Sequence, residues 1–257
     1  MKVLKFGGTS VGSPDRIRGV KRIIESLDSP CIIIVSAFSG VTDRLKQISE
    51  FASLRNSDYK TLLTELIEKH NETAIYLLHD ERKELVLSAI AELAKELEET
   101  LHGVYLLREL SNRSLDHILS FGERLSSFII SHIMDDSVFV DTRYIIKTDD
   151  NYGNAAVNFD LTNILIRKEL SDLAKIVVVP GFIGSNNQNE TTTLGRGGSD
   201  YSAAIIAAAL DASVLEIWTD VNGFMTADPK KVEKAYAIES LTYSEAIELS
   251  HFGAKVI

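Results

Sequence analysis

The sequence predicts an α/β protein built on an open, mostly parallel sheet. Short apolar, β-branched runs recur along the chain, each ending in a turn of small residues, as in strands buried on both faces. Segments of helical periodicity follow those turns, giving the order strand–turn–helix–strand–turn–helix. The 257 residues, 45% hydrophobic and 25% charged, are enough to bury a sizeable core.

Residues 3–6 form the first strand and run into Gly7-Gly8, two hydroxyl residues and a helix over 14–27. Pro14 suits a first-turn position, and Ile17, Val20, Ile23, Ile24 and Leu27 share one face. Glycines let the backbone bend and approach a ligand, and the following helix N-terminus favours an anion. With Lys5 at the strand end this is either a phosphate cradle or an ordinary tight turn. It is not of the Walker type, since no G-x-x-x-x-G-K-[ST] occurs. Residues 30–35 form a second buried strand, ending in Ser36-Ala37-Phe38-Ser39-Gly40-Val41-Thr42 before another helix.

Residues 58–107 are charged and helical, with Ile90, Leu93, Leu97, Leu101, Val104 and Leu107 on one stripe that faces a core or a subunit. A helix over 114–134 carries Glu123 on the 119–123–126–130 row, at the flank of its apolar face. A carboxylate there is either paired at the rim or pointed into a site. A strand at 137–140, a turn-rich loop at 149–154, a helix at 158–170 and a strong strand at 176–179 follow. Residues 186–190 read as a hairpin tip. Leu194-Gly195-Arg196-Gly197-Gly198-Ser199-Asp200 then opens an alanine-rich helix, with Ser199 as its expected N-cap. A strand at 214–218 ends in Thr219-Asp220, Asn222-Gly223 and Asp228-Pro229 are turn signals, and a last helix covers 243–250.

The composition excludes several functions. Twenty-seven basic against 37 acidic residues leave a net charge of −10, a poor general surface for nucleic acid or anionic membrane. The single cysteine, Cys31, excludes an internal disulfide and sits in an apolar strand as a small hydrophobe. No signal-peptide pattern and no membrane-length apolar run occur, so a cytoplasmic location is expected. The six histidines are scattered, zinc spacings are absent, and no metal ligand is directly assigned.

The strand ends, by contrast, converge. In a parallel sheet the turns after 3–6, 30–35, 176–179 and 214–218 share one edge, where α/β proteins bind ligands. Arg196 suits a carboxylate, and the helix after Gly198 suits an anion. Asp200 needs Lys5 or Mg²⁺ between it and a phosphate. A lysine, an aspartate and a metal are what phosphoryl transfer requires.

Lys5-Phe-Gly-Gly-Thr-Ser-Val, Gly122-Glu123, Leu194-Gly-Arg-Gly-Gly-Ser-Asp-Tyr-Ser-Ala, Trp218-Thr-Asp-Val-Asn-Gly and Ser250-His-Phe-Gly-Ala-Lys-Val together resemble the aspartokinases of the amino acid kinase family. Leu101-His-Gly-Val-Tyr-Leu-Leu is most similar to the kinase part of the bifunctional aspartokinase–homoserine dehydrogenases. The resemblance implies a three-layer α/β/α sandwich. It also implies transfer of the ATP γ-phosphate to the β-carboxylate of L-aspartate, the first step of lysine, threonine and methionine biosynthesis, with Mg²⁺ carried on the phosphates. By motif, Lys5 and Asp200 are catalytic. Lys5, Gly7, Gly8, Ser36, Thr219, Asp220, Lys230 and Lys255 hold the nucleotide. Thr42, Glu123, Arg196 and Ser199 hold aspartate, with Glu123 on its ammonium and Arg196 on its α-carboxylate. A homo-oligomer, a dimer, is implied for the full-length protein.

Asn222, Met225 and Lys230 depart from the usual acid, tyrosine and arginine of the family pattern. The chain, read as one catalytic domain over 1–257, stops where family members continue into the rest of the kinase domain and regulatory domains. Feedback inhibition is therefore not expected of it. Two other functions compete: a non-catalytic nucleotide- or amino-acid-binding module, and a dinucleotide-binding dehydrogenase domain. The second lacks G-x-G-x-x-G after the first strand.

Overall fold

A computed structural model describes residues 1–27, 29–171, 176–221, 223–227 and 232–251. The central sheet has the order β3-β4-β2-β1-β7 and is parallel throughout. Its strands are β1 (Lys2–Phe6), β2 (Cys31–Val35), β3 (Ser137–Phe139), β4 (Ile176–Pro180) and β7 (Val214–Trp218). A separate antiparallel hairpin, β5 (Ile183–Ser185) with β6 (Thr191–Thr193), forms around the polar tip at 186–190.

Side-chain alternation in the strands builds two cores. Leu4, Phe6, Ile33, Val35 and Val178 face one side, beneath α1 (Pro14–Glu25), α2 (Val41–Ser53), α3 (Tyr59–Leu77), α4 (Asp80–Leu107) and α5 (Asn112–Ile133). Val3, Ile32, Ile34, Val177 and Val179 face the other, beneath α6 (Phe159–Leu170) and α7 (Gly198–Ala209). Strand residues of period two thus give helix–sheet–helix layers, the expected three-layer α/β/α architecture. A short helix α8 (Tyr243–His251) ends the described chain. Among the described residues, no helix is long and apolar enough to cross a membrane.

The register aligns the functional edge. Phe6 pairs with Val35 and with Trp218, and Val35 with Pro180. Four strands therefore finish level, and their turns emerge side by side.

One expectation is refined and two are corrected. The charged region at 58–107 is two helices: α3 ends at Leu77, Leu78 is extended, and α4 starts at Asp80-Glu81, where two acids suit a helix N-terminus. Leu107 does not join the buried stripe; it is 76% exposed, because the helix ends there and Arg108 turns left-handed. Ser199 is not the N-cap. Gly197 holds that position with φ 74°, so α7 begins two residues earlier than a Ser199 cap allows.

Candidate active site

The four level strand ends and the start of α7 surround a cavity of about 580 Å³. β1 determines its deepest charge. Lys5 lies one residue from Phe6, so it points to the α7 side of the sheet, the side of Val3. There its Nζ lies 2.7 Å from Asp200 Oδ1 in the first turn of α7. Lys5 is 7% exposed, so this cation is held by packing as well as by charge.

Of the two glycines after β1, Gly8 lines the cavity, while Gly7 donates its N–H to the Trp218 carbonyl at 3.3 Å. Gly8 is required by a close approach: a Cβ there would fall 2.8 Å from the Ala37 carbonyl oxygen. The first and second turns are thereby in contact. Helix α5 closes on the same point, because a Cβ at Gly122 would meet the Ala37 side chain at 2.8 Å.

That approach sets Glu123. Its Oε1 accepts the Ala37 N–H at 3.2 Å, and one helical turn later Ser126 Oγ donates to the Ser36 carbonyl at 2.9 Å. The carboxylate is 3% exposed, yet it lines the cavity, and among the described residues its Oε2 has no hydrogen-bond partner. Burial pushes this carboxyl up to about 8, against the pull of the Ala37 hydrogen bond. The other half of the dipeptide turns away: Arg124 makes two bonds to Glu96, at 3.1 and 2.7 Å.

The remaining wall is cationic and amide-rich. Arg196 is exposed at the cavity and, among the described residues, has no ion-pair partner. No side-chain bond caps α7, so its first turn presents its amide end beside Gly198, Ser199 and Asp200, all on the cavity wall. Phe182 faces the cavity from a left-handed position, φ 69°, with its N–H held by Ser202 Oγ at 3.0 Å. Among the described residues no group of three or more His, Cys, Asp or Glu could hold a metal unaided.

The amino acid kinase family profile matches residues 1–257. The chain belongs to the amino acid kinase family. The bifunctional aspartokinase/homoserine dehydrogenase of Daucus carota is 38% identical over 98% of this chain, which spans 28% of that protein. The aspartokinase of Chlamydia pneumoniae is 36% identical over 99% of this chain, which spans 55% of it. A crystal structure of E. coli aspartokinase III in complex with aspartate and ADP superposes with a TM-score of 0.92 at 32% identity, over 100% of this chain and 57% of that one. This amino acid kinase chain is thus aspartokinase-like and spans about a quarter to a little over half of the length of these relatives.

The kinase fold brings Lys5, Gly8, Ser36, Thr42, Glu123, Arg196, Ser199, Asp200, Thr219 and Asp220 to one cavity. Lys230, Lys255, Asn222 and the Asp228-Pro229 turn lie outside the described residues. Sequence reasoning missed Ser39 and Asp43, which line the same wall from the Ser36–Thr42 turn. It also missed what steadies that turn. Lys69 Nζ donates to the Ser39 carbonyl at 2.9 Å, and His70 stacks on Phe38 at 5.0 Å. His70 itself is a packing residue: its Nδ1 sits 2.7 Å from the Leu66 carbonyl, and burial lowers it to about 4.

Proposed function

We propose that this chain is an aspartate kinase, transferring the ATP γ-phosphate to the β-carboxylate of L-aspartate to give 4-phospho-L-aspartate and ADP. The observation that carries this is Glu123: a buried carboxylate at the cavity wall with one oxygen unpartnered among the described residues. An ammonium group satisfies that oxygen, and Arg196 across the same cavity supplies a fork for an α-carboxylate. A free amino acid needs both partners. Support also comes from the likeness to E. coli aspartokinase III, a protein crystallised with aspartate and ADP.

In this assignment the aspartate β-carboxylate oxygen forms the new bond to the γ-phosphorus. The bond to the β,γ-bridging oxygen breaks, and ADP leaves with that electron pair. Lys5 neutralises charge on the transferring group, and Asp200 holds Lys5 in place. The Gly8 amide, Ser36 and the α7 N-terminus meet phosphate oxygens, while Thr42 and Ser199 position the acceptor between them. Thr219 and Asp220 hold the nucleotide. Asp200 and Asp220 would help hold Mg²⁺ bound with the nucleotide, which would supply further charge neutralisation. The reaction belongs at the entry to lysine, threonine and methionine biosynthesis.

Hydroxylamine trapping with ATP, Mg²⁺ and a panel of acids tests this. L-aspartate is expected to give the hydroxamate. Product from N-acetylglutamate alone would overturn the substrate assignment, and nucleotide binding without any acyl phosphate would overturn catalysis.

A further inference from the structure

Asp116 is 1% exposed, lies two helical turns before Glu123 on α5, and is reached by three donors. Its Oδ2 accepts the Gly153 N–H at 2.9 Å and the Thr193 N–H at 2.8 Å, and its Oδ1 accepts the Thr193 hydroxyl at 2.8 Å. Both contacts are far away in sequence, and both lead to Arg196. Thr193 ends β6, three residues before Arg196. Gly153 belongs to the loop whose Asn154 backs directly onto Gly195, where a Cβ would fall 2.5 Å from Asn154 Oδ1. Ala155 closes the arrangement by donating to the Thr193 carbonyl at 2.9 Å.

We propose that Asp116 is a positioning residue that fixes Arg196 relative to Glu123, so that α5 spaces the two groups which grip the amino acid. The proposal rests on the aspartate assignment for the identity of that amino acid. Helix α5 holds the Ser36–Ala37 stretch through Glu123 and Ser126, and the strand leading to Arg196 through Asp116. The two carboxylates are seven residues apart, about 10 Å along the axis. One rigid rod therefore sets the distance between the ammonium subsite and the carboxylate subsite. Asp116 does not itself line the cavity; it acts through Thr193 and Gly153.

The donors specify what can replace it. Alanine leaves the buried Thr193 N–H and the partly buried Gly153 N–H unpaired. Asparagine keeps an acceptor for both amides, and its Nδ2 can donate to the Thr193 hydroxyl, which turns to accept.

Steady-state kinetics of the full-length protein test the proposal. Asp116→Ala is expected to raise the aspartate KM about tenfold or more, since small misplacement of a binding group is costly, with the ATP KM unchanged. Asp116→Asn is expected to return the aspartate KM to near the wild-type value. An unchanged aspartate KM with less active protein, or both KM values rising together, would mark a purely structural role and overturn the proposal. If Asp116→Ala does not fold, Thr193→Val decides by the same split. Amide hydrogen exchange from Thr193 to Arg196 separates this from the substrate assignment. Faster exchange in the Asp116 or Thr193 variant supports positioning whatever acid is phosphorylated, and unchanged exchange overturns it.

Discussion

Helix α5 carries two buried carboxylates that differ in one respect. Asp116 is surrounded by donors on both oxygens; among the described residues Glu123 draws only on backbone N–H groups, that of Ala37 and its own, and leaves one oxygen open. Burial pushes both carboxyls up, but three hydrogen bonds oppose the shift at Asp116, while Glu123 reaches about 8. A buried polar group is normally satisfied. Asp116 therefore reads as architecture, completed by the chain itself, and Glu123 as a socket completed by something outside it.

The Lys5–Asp200 pair sets the limit of that rule. The two satisfy each other at 2.7 Å, yet they sit on the cavity wall. If mutual satisfaction always meant structure, Lys5→Ala and Asp200→Ala would spare turnover. The expected result is a fall in kcat on the order of 10² or more, as for loss of a transition-state electrostatic partner. Wild-type-like kinetics for Asp200→Ala would remove it from the reacting centre.

The sharpest contrast comes from the two carboxylates. Asp116→Ala should cost about 3 kcal/mol of stability by stranding buried donors, read from urea unfolding. Glu123→Gln should not lower the denaturant midpoint at neutral pH, while raising the aspartate KM on the order of 10-fold or more, because a charge-assisted bond is lost. Large destabilisation by Glu123→Gln with normal KM would reverse the roles.

A pH series gives the next test. The folded Glu123 carboxyl sits at about 8 against an ordinary 4.5. Because the folded value is raised, its stabilising contribution is full below 4.5 and is lost as pH rises through about 8. The melting temperature of the wild type relative to Glu123→Gln should thus decline from acid to pH 9. Substrate binding needs the ionised form, so the aspartate KM should fall as pH rises towards 8 and then level off, a dependence absent in Glu123→Gln. The smallest effect is expected at Leu107, where Leu107→Ser should change stability by no more than about 0.5 kcal/mol, since the residue is exposed. Leu101→Ala on the same stripe, fully buried, should cost about 2–5 kcal/mol in the same measurement.

Local pattern carried much of this molecule. Continuous β-branched runs such as Cys-Ile-Ile-Ile-Val were legible as doubly buried strands, and their small-residue turns as one ligand edge. Cys31 is buried as expected, its thiol pushed up to about 11 by that burial. What escaped depends on distance along the chain. Asp116 finds its partners 37 and 77 residues away, which no periodicity reveals. Glu123 could be placed at the flank of a face, but only the contact of Gly122 with Ala37 sinks it entirely. The break at Leu78 contains neither glycine nor proline, so its only local sign was the acid pair that starts α4. Ser199 resembled a cap because side-chain type alone cannot reveal that Gly195 and Gly197 wind the preceding loop left-handed.

The alternation in β1 has one more consequence. Lys5 and Phe6 are neighbours that part to opposite faces of the sheet. A slip of one residue in the pairing of β1 would drive the ammonium into the larger core and expose the phenylalanine to its place beside Asp200. Such a misfolded chain would be inactive and also unstable, since a buried unpaired charge is among the costliest errors a core can contain. The cation therefore works as a checksum for the fold: only the register that assembles the site is also the one that survives.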